Sequence, residues 1–594
     1  MPQNLLMPEA EWARLPELLE DELFARVHAN NEKAVTVITE AGRENFRAMP
    51  GDLREGTTTR NNPWLWRVFK HRLFRFAVSW RLTGAEASRR EALRTVDELI
   101  DPEEWCTVPD FGLAHGDLRT ADLWVVASFA LEALAPALSR HQEAELLRLL
   151  TEWALPAYLK GIEAGEWWRR ADFNWGSALH GAAGMAALTV QPEVPDQAAR
   201  VLAEVREGLR PVIANFPEGG GWTEGLMYMA TTLGHLTDFV AALHRLTGDD
   251  LGLGANGCLH AMLDSRPWLL GGDREPINFS NLNQQTEEWR LPHAWWWADH
   301  CGRPDWAGFE AEFPRPWYET NGVFLEVELF WFRKPGQPTE PFHEPRGLWH
   351  GRELDWLSWK EGDGWLAFRS GYNAGNHNNR DLGQILFGLG EERVLCDPGY
   401  GAEKTSQHSC LTFRGYEQTI GAEAKIFRAE TYHGADREWL YLCCDLSAAY
   451  PGVLLYHHRH VVVNSAGQFF LFDDALARRG LRLGVTGHLQ FDRRLDGEGT
   501  EWTLRDSPHG YRLRFLSPVH PVGAEDREWK GRAVTTLAYR SLRDAPAARL
   551  ALSLTPAGRA HPEWVDHGNV LEIHYETTVA RIDTDECRLT LQPC

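Results

Sequence analysis

Three stretches of the chain concentrate side chains that can do chemistry. The densest is FRSGYNAGNHNNRDLGQILFGLGEERVLCDPGYGAEKTSQHSC, from Phe368 to Cys410. Asn373, Asn376, His377, Asn378, Asn379, Arg380 and Asp381 crowd between two apolar runs, with Asp397 and His408 close behind. So many amides around one imidazole exceed what a solvated turn needs. His377 belongs to the side-chain type that titrates near neutral pH and serves as general acid or base, and Asp397 and His408 could join a metal or hydrogen-bond cluster. The second stretch, GEWWRRADFNWGSALHGAAGMAAL from Gly165 to Leu188, sets Arg169, Arg170, Asn174 and His180 just before and within a helix of small residues. A helix-capping Asn and a buried His among Ala and Gly account for the same pattern without any function. The third, FPEGGGWTEGLMYMATTLGHL from Phe216 to Leu236, is a glycine-dense turn leading into a helix. Glu224 and Tyr228 lie one helical turn apart on one face there, and the glycines admit close approach of a ligand. Packing of Tyr228 beside Met227 and Met229 fits that spacing equally well.

Other chemistries lack their signals. No GxSxG elbow precedes a helix and no cysteine sits in an evident activating environment, so a serine or cysteine nucleophile is unsupported. There is no GxxxxGK[ST] phosphate loop, no zinc-finger spacing and no repeat. Among 84 Asp and Glu some carboxylate pair always exists, which leaves glycoside hydrolysis open. The nine cysteines, Cys106, Cys258, Cys301, Cys396, Cys410, Cys443, Cys444, Cys587 and Cys594, are odd in number with no CxxC pair, and read as free, buried thiols.

The elements that must position these groups divide the chain. Up to about residue 320 apolar residues recur at helical spacing, as in TADLWVVASFALEALAPALSRHQEAELLRLLTEWALPAYL, with Pro and Gly between the runs. From about residue 360 short strand-like runs take over, among them WLAFRSGY, QILFGLGEERVLCDPG, LLYHHRHVVVNSAGQFFLFDD and VLEIHYET, with NSAG and GLGEE as hairpin turns. RKPGQPTEPFHEPRG, Arg333 to Gly347, carries four prolines and no periodicity. The expected organisation is an all-helical domain over 1–330, a linker over 331–350 and stacked antiparallel sheets, a β-sandwich, over 351–594.

With 61 Lys and Arg against those 84 acids the formal charge is −23, which argues against nucleic acid or an anionic membrane as partner. No apolar run reaches the roughly 20 residues that span a bilayer. The first residues lack a basic start followed by an apolar run, so cytoplasm is the expectation, or periplasm or secretion if a signal was removed. The 27 Trp exceed ordinary usage, and an indole face can stack on a sugar ring as well as pack in a core.

In these three stretches the sequence resembles the heparinase II/III-like polysaccharide lyases. The matching motifs are Asn174-Trp175 before an Ala/Gly-rich helix, EGxxY over Glu224 to Tyr228, an HxHxDxG loop over His377 to Gly383, and the DPG turn Asp397-Pro398-Gly399. Their order and spacing correspond over roughly residues 60 to 420. The resemblance implies an N-terminal (α/α) toroid followed by a C-terminal β-sandwich, closest to the broad-specificity glycosaminoglycan lyases. It implies β-elimination at a 4-linked uronic acid of an anionic polysaccharide, with no organic cofactor. Asn174 would bind the uronate carboxylate, Tyr228 would protonate the leaving oxygen, and His377 would be the base for one C5 epimer. Trp175, His180, Arg169, Glu224, Asn378 and Arg380 would contact substrate. The second histidine of the loop motif is Asn379 here, so the implied structural metal, Zn, Mn or Ca, would fall to Asn379, Asp397 and His408, an oxygen-richer set. A polyuronate such as alginate is an alternative substrate, and a uronate epimerase or a glycoside hydrolase an alternative activity. A polyanionic substrate on so acidic a protein requires a locally basic site, for which Arg169, Arg170, Arg380 and Arg414 are the candidates.

Overall fold

The computed structural model describes residues 5–41, 65–100, 116–282, 289–313, 331, 339–434, 436–529 and 532–593. Cys106, Cys594 and the linker residues 332–338 lie outside them. The chain forms two compact units. One comprises Met1–Phe216, Met227–Leu259 and Thr286–Phe342, and is helical; the other comprises Pro217–Leu226, His260–Gln285 and His343–Cys594, and holds the sheets. Helices first and antiparallel sheets second is the order that the change of period from 3.6 to 2 implies. Among the described residues no helix is long and apolar enough to cross a membrane.

Two details depart from the sequence expectation. Residues 217–226 and 260–282 fall inside the expected helical domain but pack with the sheets. Much of both stretches is turn-rich, as in PEGGGW and GGDREPINFSN, and offers no long apolar stripe for a helical neighbour. At Gly220, φ is +79° and a Cβ would come within 2.3 Å of the Ala261 carbonyl oxygen, so only glycine fits that turn. The β region also begins inside the expected 331–350 linker, because Gly347–Gly351 already pairs with Trp356–Glu361.

Small residues set the packing of the helical unit. Along Asn174–Val190 every residue except Trp175 is buried. A Cβ on Gly181 would lie 2.5 Å from the His235 carbonyl oxygen, one on Gly184 2.4 Å from the Phe239 ring, and one on Gly208 2.1 Å from the His180 ring. The helix is thus wedged against Pro195–Ala214 and Leu226–Thr247 at distances that only glycine permits.

In the other unit, two nine-stranded antiparallel sheets and one four-stranded sheet stack in layers. Strand Glu438–Asp445 shows why there are three layers rather than the two of a simple sandwich. Its sequence EWLYLCCD has no polar face: Leu440, Leu442 and Cys444 join the core between the large sheets, whereas Trp439, Tyr441 and Cys443 point the other way. That second face is covered by Leu571, Ile573, Ala580, Ile582 and Leu589 of the four-stranded sheet. Leaving it wet would cost about 1.5–3 kcal/mol per large side chain. The NSAG turn joins Leu454–Asn464 to Phe469–Ala477, and Gly390-Glu391 joins Ile385–Leu389 to Glu392–Leu395, as the turn residues suggested.

Candidate active site

In the β unit, strands Gly364–Arg369 and Ile385–Leu389 pair in register, and the residues between them form the polar loop. Arg369 closes its base: its N–H donates to Gln384 O at 3.0 Å and its carbonyl accepts from Gly383 at 2.8 Å. The amides that made the sequence conspicuous mostly hold this loop. Asn373 accepts from the Gly421 and Ala422 N–H groups and donates to Thr419 O, at 2.9 to 3.0 Å. Asn376 donates to Glu224 Oε1 at 2.6 Å. Asn378 Oδ1 accepts from Arg369 at 2.7 Å and from Ser280 Oγ at 3.0 Å. Arg369 also pairs with Asp381, both fully buried.

His377 stands at the tip with φ of +60°, a backbone state uncommon outside glycine and asparagine and sustained here by the bonds on either side. Its Nδ1 accepts from Asn281 Nδ2 at 3.1 Å, which puts the proton of the neutral ring on Nε2. That nitrogen lies 4.0 Å from Glu224 Oε1. Burial pushes the imidazole pKa down to about 4, so the ring is neutral and keeps a lone pair at neutral pH. Glu224 is wholly buried; Trp222 Nε1 donates to its Oε2 at 3.1 Å. It therefore supports the loop bearing His377 and does not offer its carboxylate as the substrate contact that the motif implied.

Asp381, Asp397 and His408 place one ligand atom each within 4.8 Å of one another, all buried. His408 Nδ1 bonds Asp397 Oδ2 at 2.7 Å and Nε2 bonds Ala402 O at 2.8 Å. Burial alone would lower its pKa, but the Asp397 carboxylate outweighs it and carries the value up to about 9. Asp397 also accepts from Gln384 and from the Gly399 N–H. Among the described residues Asp381 Oδ2 has no hydrogen-bond partner. A divalent cation there would take the Nδ1 lone pair of His408 after displacing its proton, beside the orphaned Asp381 oxygen and the Asp397 carboxylate. Asp381 thus stands beside the expected Asp397 and His408 as a further candidate ligand, and the Asn379 amide nitrogen donates to Ser280 O at 3.5 Å.

In the helical unit, Asn174 opens its helix and is 2 % exposed. Tyr228, in the first turn of Leu226–Thr247, is partly exposed between the buried Met227 and Met229. Trp175 is partly exposed and lies 4.7 Å, ring to ring, from Trp167, which is 57 % exposed. His180 is fully buried, against the role implied for it: Tyr158 OH is 2.7 Å from Nδ1 and Arg169 O is 3.3 Å from Nε2. Six residues into a helix of small side chains, it faces packed neighbours and braces the WWRR turn. The Arg169 guanidinium lies 4.0 Å from the Glu204 carboxylate and is partly exposed. Arg380, in the β unit, donates to Glu403 O at 3.2 Å.

Sequence reasoning missed the segment Asn278–Asn281. Asn278 bonds Asp397 O at 3.0 Å, Ser280 bonds Asn378, and Asn281 bonds His377. Its local signal is faint, a run NFSN after proline, because its partners are about a hundred residues away.

No protein-family model and no curated protein matches the chain. Solved structures do. Heparinase III superposes with a TM-score of 0.61 at 13% identity, covering 99% of this chain and 91% of its own. The heparan sulfate lyase of Pedobacter heparinus gives 0.55 at 13% identity, with 93% and 85% covered. The chondroitin AC lyase of Streptomyces coelicolor A3 gives 0.55 at 13% identity, with 96% and 88% covered. Over nearly its whole length the chain has the fold of heparinase III and of these glycosaminoglycan lyases.

Proposed function

We propose that the protein is a polysaccharide lyase that cleaves a 4-linked uronic acid in an anionic polysaccharide by β-elimination. The observation that carries this reading is His377, a neutral imidazole at the tip of a hydrogen-bonded loop with a buried carboxylate behind it, in a chain with the fold of glycosaminoglycan lyases. A C5 proton is too weakly acidic for imidazole unless the adjacent carboxylate is neutralised. Asn174 serves that purpose, its amide donating to the uronate carboxylate and stabilising the charge that grows as the proton leaves. His377 Nδ1 takes the proton when the C5–H replaces the Asn281 amide at that nitrogen. The imidazolium so formed carries Nε2–H toward Glu224, whose negative charge favours it. The C5–H electrons become the C4=C5 double bond, the C4–O4 bond breaks, and Tyr228 donates its phenolic proton to the departing O4. For the epimer whose C5 proton points to the other face, Tyr228 is base as well as acid.

Glycosaminoglycans, whose lyases share the fold, are the proposed substrates. Trp175 offers a face for a sugar ring, and Arg169, Arg380 and the Asn378 loop supply polar contacts around the chain. Asp381, Asp397 and His408 would hold a divalent cation whose part is structural: it offsets buried negative charge at the root of the His377 loop. The test is an ultraviolet scan of digests of hyaluronan, chondroitin sulfate, heparan sulfate and alginate. A band from 4,5-unsaturated uronate with shortening of one of the first three polymers is expected. Shortening without the band would make the protein a hydrolase, and epimerisation at constant length would make it an epimerase.

A further inference from the structure

The β unit contains a thiol pair that the reaction does not use. Cys443 lies on strand Glu438–Asp445 of a nine-stranded sheet, and Cys587 in the turn between Thr578–Asp583 and Arg588–Pro593 of the four-stranded sheet. Their Sγ atoms are 3.0 Å apart although the residues are 144 apart in sequence. Both side chains belong to the apolar layer between the two sheets. The neighbouring Cys444 points into the opposite core, where it meets Ser370 Oγ at 3.4 Å.

Two further observations set Cys587 apart. Its φ is +48°, a conformation in which glycine or asparagine would be unstrained, yet the turn DTDEC places a cysteine there. Its chain neighbours Glu586 and Arg588 line a cavity of about 590 Å3 together with Arg428, Glu430 and Tyr432, while the Cys587 side chain itself is 8 % exposed. The hydrogen bond from the Cys443 thiol, aided by the Arg428 charge, lowers the Cys587 pKa, whereas that same bond and burial raise that of Cys443. Cys587 is therefore the more readily deprotonated of the two, and the thiolate is the nucleophile of thiol chemistry.

We propose that Cys443 and Cys587 are a thiol–disulfide exchange site whose oxidation by a small-molecule disulfide fastens the C-terminal sheet to the sandwich. The Cys587 thiolate attacks one sulfur of the incoming disulfide, forming a mixed disulfide and expelling one thiolate. Cys443 loses its proton and attacks Cys587 Sγ, closing the protein bridge and expelling the second thiolate; the two departing groups take up the two protons the protein thiols give up. The bridge encloses a long loop, the case in which a crosslink restricts the unfolded chain most.

The test uses the full chain equilibrated in mixtures of oxidised and reduced glutathione, quenched in acid, denatured, alkylated and digested without reductant. Mass spectrometry is expected to find one crosslinked peptide pair, Cys443 with Cys587, lighter by two hydrogens than the separate thiol peptides. The melting temperature should be higher after oxidation than after reduction. Cys587→Gly, which accepts the backbone of that turn without strain, should fold and melt at a temperature independent of the glutathione mixture. Full alkylation of both cysteines in every mixture overturns the proposal. A bridge joining Cys443 to Cys444, or a redox-dependent melting temperature that survives in Cys587→Gly, overturns it as well.

Discussion

Asn174 and Tyr228 stand in the first turns of two long helices of the helical unit, wedged by glycines at Gly181 and Gly184, whereas His377 stands on a loop of the β unit held by side-chain amides. Backbone packing fixes the first pair, and their surroundings leave little to adjust. Discrete hydrogen bonds to Glu224, Ser280, Asn281 and Arg369 fix the second, at the cost of a left-handed backbone at both His377 and Ser280. The two constructions suit different roles. A proton donor to a leaving oxygen gains from a rigid helical base, while a base that alternates between imidazole and imidazolium gains from partners whose charge can answer it.

The sharpest break of this comparison lies in the helical unit. Tyr228→Phe is expected to lower kcat by roughly 100- to 10,000-fold on uronates of either C5 epimer, whereas His377→Ala should do so on one epimer only. Equal effects of His377→Ala on glucuronate and iduronate substrates, measured by initial rates at the ultraviolet band, would remove the division of labour. Acid should next weaken both units, since each buries imidazoles with lowered pKa values. Burial lowers His180 and His235 to about 4, below the value of 6.5 in an unfolded chain. On acidification the unfolded state takes up those protons first, so stability present above pH 6.5 is lost between pH 6.5 and 4, on the order of 2–3 kcal/mol for each. Urea melts at pH 7 and pH 4.5 measure this, and His180→Gln should flatten the dependence.

Smaller effects test each construction separately. Gly184→Ala would drive a methyl group into the Phe239 ring and should cost about 1–3 kcal/mol in a urea melt, with kcat of the folded fraction little changed. Glu224→Gln keeps the Asn376 bond but removes the charge behind His377 and the acceptor for Trp222 Nε1. It should lower kcat on the order of tenfold for the epimer served by His377 and leave the other untouched, and an equal loss on both would reduce Glu224 to a structural support. The smallest change is expected from a chelator, a decrease in melting temperature without loss of kcat at low temperature; Asp381→Asn should abolish that dependence if Asp381 is a ligand.

Local signals account for what was legible in advance. The crowding of Asn373 to Asp381 singled out the loop, and the Asn174 and Glu224 to Tyr228 motifs singled out two helix starts. The sequence could not tell which polar residues face solvent. His180 and Glu224 carry groups that suit a substrate, yet Tyr158, Trp222 and Asn376 claim them inside the protein.

By itself the sequence determined the division into helices and sheets, because the 3.6 and 2.0 periods are written in neighbouring residues. It likewise determined the apolar two-facedness of EWLYLCCD, and so the need for a third layer. Only the tertiary structure decided that 217–226 and 260–282 belong with the sheets, that Asn281 and Glu224 flank His377, and that Asp381 stands beside Asp397 and His408. Those contacts join residues up to 153 positions apart. Such pairings leave no trace in local spacing, since they are selected only when the whole chain packs and each buried polar group must find a partner.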